Sequence, residues 1–139
     1  MTYNADSTAP SVRSRRALLT FAHRELRDLA ERTGARDDFP YATVLRLINA
    51  LIQDGSATPQ ISSNGDGGIF VEWLAGGLSL TIDYEDETEI LIAASSVAVG
   101  VEFEKTVTAW WTASSDVIPA ARSFLARLSS HVAHPISLT

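Results

Sequence analysis

Carboxylates are the side chains of this sequence that could most readily do chemistry, and they concentrate around one predicted turn. Five acids fall within seven positions there: Asp83, Glu85, Asp86, Glu87 and Glu89. Such oxygen ligands suit Ca²⁺, but the run lacks the spacing and the central glycine of an EF-hand loop. We therefore interpret the turn either as a solvated turn or as an electrostatic patch for a basic partner.

A pair of carboxylates is also the machinery of glycoside hydrolysis, and Glu72 with Asp83 or Glu102 is the set to consider for it. Glu72 draws attention because it interrupts an apolar run. Nothing in the spacing separates these three acids from the others, and a solvent-facing carboxylate is the simpler interpretation of Glu72. We predict no catalytic residue.

Histidine and glycine patterns do not indicate a second kind of site. His131 and His134 are three apart, which can place two imidazoles on one helix face, but no acid at a ligand spacing completes a metal set. His23 has no sequence neighbour that would orient it as a base. The run Asn64-Gly65-Asp66-Gly67-Gly68 precedes a strand and lacks the Lys-Ser/Thr ending of a phosphate-binding loop, so it predicts a turn. We predict neither a metal nor a cofactor.

The elements that position the acids form a predicted sheet. Between Gly67 and Tyr84, two strand patterns flank Ala75-Gly76-Gly77, which is typical of a β-hairpin. Further strands are predicted over residues 59–63, 89–94 and about 97–107. The order predicts a mostly antiparallel meander of four or five strands, with Asp83, Glu102 and Glu104 on its outer face. In the last strand an apolar set alternates with these acids: Val97, Val99, Val101, Phe103 and Val107.

Three helices are predicted around this sheet from apolar residues that recur with the helical period. The first is capped by Ser11 or Ser14 and ends at Gly34, the second runs from about Pro40 to Asp54, and the third runs from Ser114 or Ser115 to about His131. The predicted fold class is therefore α+β: two N-terminal helices, an antiparallel meander, and a C-terminal helix on one sheet face. We expect a single domain over residues 11–134, with flexible tails at 1–10 and 135–139.

Charge separates the two halves of the chain. Of 139 residues, Met1–Gly55 carry eight basic and seven acidic side chains, whereas the remainder carries three basic and ten acidic ones. The net charge of −6 makes direct binding of nucleic acid unfavourable. There is no cysteine, which excludes disulfides and a cysteine nucleophile. No apolar run approaches the ~20 residues of a membrane span, so we expect a cytoplasmic protein.

Tryptophan beside acid suggests a protein interface. Adjacent strand residues point to opposite faces, so at least one of Trp110 and Trp111 is expected outside as an anchor. Whether Glu72 or its neighbour Trp73 is exposed stays open. The residues expected to bind a partner are Glu72, Asp83, Glu85, Asp86, Glu87, Glu89, Glu102, Glu104, Trp110 and Trp111.

A resemblance covers the segments Pro59-Gln60-Ile61, Gly67-Gly68-Ile69-Phe70-Val71-Glu72-Trp73 and Leu78-Ser79-Leu80-Thr81-Ile82. This pattern resembles one in uncharacterised small proteins of bacteria and their mobile elements, in which a Gly-Gly-aliphatic run ends in Glu-Trp before an alternating strand. The resemblance implies a small accessory protein, found beside a toxin or a defence system, and it implies no activity.

Three functions remain as hypotheses. The first is a non-enzymatic protein-binding module, such as an antitoxin, an immunity protein or a phage-type inhibitor, that binds a basic partner through an acidic surface. The second is a ligand-binding protein or enzyme with a pocket between the helices and the sheet. The third is a structural subunit of a homo-oligomer, for instance a homodimer.

Overall fold

The computed structural model describes residues 11–35, 37, 39–64, 67–111 and 116–133. Both predicted tails and the predicted caps Ser114 and Ser115 lie outside the described residues, as does His134. The described chain confirms the α+β class, with three helices and an antiparallel five-stranded sheet. The elements in chain order are β1 (Val12–Arg13), α1 (Arg15–Thr33), α2 (Phe39–Leu51), β2 (Ser56–Ala57), β3 (Gln60–Ser63), β4 (Ile69–Ala75), β5 (Leu78–Asp86), β6 (Glu89–Ser96), β7 (Gly100–Val107) and α3 (Val117–Ala133).

Local sequence accounts for the limits of α1. The Ser14 hydroxyl accepts a hydrogen bond from the Ala17 amide at 3.1 Å, which satisfies one of the free amides of the first turn. At the other end Gly34 adopts a left-handed conformation with φ 69°, and its amide bonds back to the last turn. Both features agree with the sequence prediction.

Strands β3 to β7 form one sheet in chain order, every neighbouring pair antiparallel. A meander of this kind needs only short turns, and Gly76 and Gly77 supply positive φ for the turn between β4 and β5. The two-residue strands β1 and β2 form a separate small sheet that the sequence did not predict. Two residues are too few to show a period of two, so no pattern marked them.

One face of the sheet is covered by the helices. Trp73, Leu80 and Ile92 lie fully buried on that face of β4, β5 and β6, against side chains of α2 and α3 such as Leu47, and α3 packs across all three strands. Phe103 of β7 extends the contact through an edge-to-face pair with Phe124 of α3, with ring centres 6.1 Å apart. The helices and this sheet face together form the core.

Polar bonds fix α3 to the rest of the helical layer. The Arg122 guanidinium donates two hydrogen bonds to the carbonyl of Ala50 near the end of α2, at 3.0 and 2.8 Å. The buried Ser129 hydroxyl accepts from the amide of Ala57 in β2 at 2.7 Å. These bonds satisfy a helix-end carbonyl and a buried amide, which would be costly to leave unpaired.

Candidate functional site: the open face of the sheet

The opposite face of the five-stranded sheet is not covered by any element of the described chain. Its side chains alternate with those of the helix-covered face, and all of them are half-buried or exposed. We call this surface the open face. It is made of Gln60, Ser62, Phe70, Glu72, Leu74, Ser79, Thr81, Asp83, Leu91, Ala93, Ser95, Val101, Glu104 and Thr106.

Strand register places three carboxylates on the open face. Glu72 of β4, Thr81 of β5, Ala93 of β6 and Glu104 of β7 form one row across the sheet. Three strand spacings therefore separate Glu72 from Glu104, about 14 Å between their backbones. Asp83 lies in the next row, about 7 Å further along β5. The structure thus brings Glu72, Asp83 and Glu104 onto one surface, as the sequence predicted for Asp83 and Glu104.

No basic side chain shares this surface. Lys105 is the one Lys or Arg in strands β3 to β7, and it lies opposite Ile92, on the helix-covered side of the sheet. The three carboxylates are therefore balanced by no cation on the described open face. Like charges repel, and burial of a carboxylate in an interface without an opposite charge is costly. A surface of this kind therefore favours contact with a positively charged surface.

Asp83 is the least satisfied of the three acids. Its cross-strand neighbours are Phe70 on β4 and Leu91 on β6, both half-buried apolar side chains. Its Oδ1 atom is buried and accepts no hydrogen bond from the described part of the chain. An unpaired acceptor of this kind costs on the order of 1–3 kcal/mol. A cation or amide donor from another molecule would satisfy it.

Glu72 has a weak partner on the same face. The Ser79 hydroxyl donates to Glu72 Oε2 at 3.4 Å, close to the limit of a hydrogen bond. The neighbouring Trp73 points into the core and is fully buried. The question left open by the sequence is thereby answered, since Glu72 belongs to the open face and Trp73 belongs to the scaffold.

The predicted position of Glu102 on the outer face was wrong. A β-bulge in β7 makes Val101 and Phe103 pair with the consecutive residues Ser95 and Ala94, so Glu102 is the extra residue between them. Its carboxylate turns toward α3 and forms an ion pair with Arg127 at 2.7 Å. The hydrogen bond from Arg127 lowers the pKa of Glu102 below its ordinary value. Glu102 therefore does not face outward with Asp83 and Glu104.

The acidic turn lies at one end of the open face, between β5 and β6. Asp86 Oδ1 accepts hydrogen bonds from the amide and the hydroxyl of Thr88, both at 2.8 Å, and these bonds lower the pKa of Asp86. Glu85 accepts from the Asn64 amide group at 3.0 Å. Glu87 and Glu89 are exposed. Asp86 thus has a structural role as the residue that closes the turn, while all four acids add negative charge to this end of the sheet.

The two adjacent tryptophans lie beyond the end of β7. Trp110 is 65% exposed, as expected for at least one of the pair. Trp111 is half-buried, and the guanidinium of Arg46 lies 4.5 Å from the centre of its ring. Arg46 also donates to the carbonyl of Ala109 at 2.5 Å. These contacts hold Trp111 against α2, on the helical side of the molecule, and neither tryptophan lies in a strand of the open face.

The structure also bears on the metal, carboxylate-pair and pocket hypotheses. Among the described residues, no three His, Cys, Asp or Glu side chains lie close enough together to hold a metal ion. Glu72 and Asp83 share the open face, but Glu102 is turned away from both. The space between helices and sheet is filled by buried side chains such as Trp73 and Ile118. A depression of about 620 Å³ lies instead on the outer surface of α1 and α2, where Leu45 forms part of its lining.

Sequence reasoning missed a set of exposed apolar residues. Val97, Val99 and Val101 were assigned to the apolar register of the last strand, yet Val97 and Val99 lie in the turn between β6 and β7 and all three are exposed. Leu74 of β4 is exposed at the same end of the sheet. The glycine at position 100, which adopts φ 86°, was the signal that a turn interrupts the alternation there.

Comparison with family models, with curated proteins and with solved structures gives no match. The described helices include none that is both long and apolar enough to cross a membrane.

Proposed function

We propose that this protein is a non-enzymatic protein-binding module that uses the open face to bind a basic partner, in the manner of an antitoxin, an immunity protein or a phage-type inhibitor. The observation that carries the proposal is the combination of three carboxylates, Glu72, Asp83 and Glu104, on a sheet face that bears no cation and no covering element among the described residues. The acidic turn at one end of this face enlarges the negative surface.

The individual acids contribute in different ways. Glu104 is exposed on the edge strand, so its pairing with a cation is screened by salt and worth only ~0.2–1 kcal/mol. Asp83 is half-buried between Phe70 and Leu91, and a partner covering it would desolvate the pair. Removal of one member of such a desolvated charge pair costs about 2–5 kcal/mol of affinity. Asp83 is therefore the proposed hot spot, and Glu104 steers association.

Self-association through the open face is less favourable than binding of a basic partner. In a two-fold dimer the same patch meets itself, so the six carboxylates of two copies would meet without a described cation between them. The homodimer and subunit hypotheses therefore rank below the basic partner.

The test compares two variants of equal charge as baits in a lysate of the native host. Glu72→Gln/Asp83→Asn/Glu104→Gln removes three charges from the open face, which changes the net charge from −6 to −3. Glu25→Gln/Asp28→Asn/Glu31→Gln makes the same change on α1. We expect the wild type and the α1 variant to retain the same basic protein at low salt, and the open-face variant to lose it.

Equal retention by all three baits, or equal loss from both variants, would contradict the proposal. The first result would place the binding site elsewhere, and the second would show that net charge alone attracts the protein. High salt provides a further control, since exposed ion pairs weaken once the screening length falls to a few ångströms, ~3 Å at 1 M.

A further inference from the structure

The most unusual surface of the described chain is an apolar one, at the end of the sheet away from the acidic turn. Four side chains there are exposed: Val97 to 89%, Val99 to 71%, Val101 to 63% and Leu74 to 55%. We call these four residues the apolar corner. Turn residues are normally Gly, Pro, Asn, Asp or Ser, so two exposed valines in one turn need an explanation beyond turn formation.

The corner is held in place by the scaffold. The Val97 amide donates to the carbonyl of Gly77 at 2.9 Å, which ties the β6–β7 turn to the β4–β5 turn. The Val97 side chain lies directly over Gly77. The Val99 amide donates to the Ser96 hydroxyl at 3.1 Å. The backbone that carries Val97 and Val99 is thus held in place, which lowers the entropic cost of binding through this turn.

The β-bulge joins the corner to the open face. Because Glu102 is the extra residue, Val101 lies opposite Ser95 and in one row with Ser79 and Leu74. This row is adjacent to the row that holds Glu72 and Glu104. Without the bulge, alternation from Phe103 would have placed Val101 on the helix-covered side. The bulge therefore moves a carboxylate off the open face and moves an apolar side chain onto it.

Charge varies steeply along the strands. The two segments that build the corner end of the sheet, residues 74–79 and 95–101, contain no charged residue, in a chain with 28 charged residues among 139. The middle of the open face carries Glu72, Asp83 and Glu104, and the far end carries the acidic turn. The surface is thus apolar at one end and negative in its centre and at its other end.

The size of the open face indicates that an interface must extend beyond its centre. Its fourteen outward residues, spaced about 4.8 Å across the strands and about 6.8 Å along them, give a projected area of about 460 Å². A standard interface buries about 800 Å² on each partner. Val97 and Val99 extend the face beyond Leu74 and Val101, which already belong to it, and burial of the exposed valines would supply the hydrophobic part of such an interface.

We propose that the apolar corner is the hydrophobic anchor of the same interface, so that the partner contributes a segment with Lys or Arg over Glu72, Asp83 and Glu104 and large apolar side chains over Val97, Val99 and Val101. This inference rests on the proposed function. Charge complementarity selects this occupant. A second copy would oppose acids to acids, and a bilayer would have to accept the carboxylates beside the corner.

The experiment uses random 16-residue peptides displayed on phage and selected on the immobilised full chain. Val97→Thr/Val99→Thr/Val101→Thr keeps the β-branched shape and the charge while making the corner polar. Phe39→Gln, which removes another exposed apolar side chain on the helical side, is the matched control. Val97 packs against Gly77, so its replacement could lower the melting temperature of the triple variant. In that case Val99→Thr/Val101→Thr replaces the triple variant in the binding measurements.

We expect wild-type chain to select peptides that combine basic residues with large apolar residues toward one end. Binding of a selected peptide, measured by fluorescence anisotropy, should weaken about tenfold with the threonine variant and keep its salt dependence. With Glu72→Gln/Asp83→Asn/Glu104→Gln both affinity and salt dependence should fall. The Phe39 variant should bind as the wild type does.

Five results would overturn the inference, and they show whether the proposed function fails with it. Basic peptides that bind the threonine variant as tightly as the wild type would leave the proposed function standing and remove the corner from the interface. Apolar peptides indifferent to the open-face variant would contradict both. Binding to neutral phosphatidylcholine vesicles that the threonine variant abolishes would assign the corner to a membrane. Concentration-dependent dimerisation that the threonine variant abolishes would assign the corner to a second copy. Recovery of no sequence above background would also overturn it.

Discussion

Asp83→Thr is expected to make the free protein more stable while it weakens binding. The Oδ1 atom of Asp83 is buried, accepts no hydrogen bond within the described chain and lies between Phe70 and Leu91. Removal of such an acceptor recovers part of the ~1–3 kcal/mol cost of leaving it unpaired. Threonine also suits a strand better than aspartate, on a scale that spans about 1 kcal/mol.

The expected gain is about 1–2 kcal/mol in the free energy of unfolding, because Asp83 is only half-buried and keeps part of its hydration. For a chain of this size each kcal/mol raises the melting temperature by about 3–4 °C. Urea denaturation followed by tryptophan fluorescence measures the gain, since Trp73 is fully buried in the folded state. Residues at binding sites often show this opposition between stability and function.

Ser95→Thr is the control for strand propensity. Ser95 lies on the open face of β6 and carries no charge, so its replacement by threonine changes propensity alone. We expect a gain of a few tenths of a kcal/mol from it. If Asp83→Thr gave no larger gain than Ser95→Thr, or destabilised the protein, then the Asp83 carboxylate would be satisfied in the free protein and the reasoning for it as a binding hot spot would fail.

Three further predictions concern the scaffold around the site. Gly76→Ala should cost about 1 kcal/mol or more beyond Gly100→Ala in thermal unfolding. Both glycines have positive φ, but a Cβ at Gly76 would collide with the His131 side chain, whereas a Cβ at Gly100 would face open space. Equal losses would contradict the position of His131. Burial raises the pKa of the Tyr84 phenol in the folded protein, so the phenol of the unfolded chain ionises first, near pH 10. The free energy of unfolding should therefore fall as pH rises from there through the folded-state pKa. Tyr84→Phe should remove this fall in urea denaturation at alkaline pH, and an unchanged fall in the variant would refute the prediction. Arg127→Ala should raise the pKa of Glu102 toward its ordinary value in an NMR titration. Because the pKa of Glu102 is lowered in the folded protein, the stabilisation by Arg127 is present above the ordinary glutamate pKa and disappears as pH falls through the folded-state pKa. An unchanged pKa of Glu102 in the variant would show that the ion pair does not form in solution.

Where local chemistry decides the structure, the sequence was sufficient. Ser14 and Gly34 bound the first helix because a hydroxyl cap and a left-handed glycine act on their own neighbours. Alternation through Leu80 and Ile82 predicted the hairpin and its buried face, since a period of two has one structural meaning there. The acids Asp83 and Glu104 were placed on the outer face for the same reason.

Where one residue changes the register, the sequence was misleading. The valines at 97 and 99 favour strands, so the alternation was extended through what is a turn. One extra residue in β7 turns Glu102 to Arg127 and Val101 outward, and a bulge of this kind has no local signature beyond the pairing itself. The position of Trp111 against Arg46 likewise depends on tertiary packing with α2.

Carboxyl footprinting tests most directly whether the open face is the binding surface. It is done on the protein bound to the basic partner that it retains from the host lysate. Carbodiimide-activated coupling of glycine ethyl ester labels accessible acids, and mass spectrometry quantifies each site with and without the partner. We predict strong protection of Glu72, Asp83 and Glu104 and unchanged labelling of Glu25 and Glu31 on α1. Protection of the α1 acids with unchanged labelling on the open face would contradict the proposed binding surface.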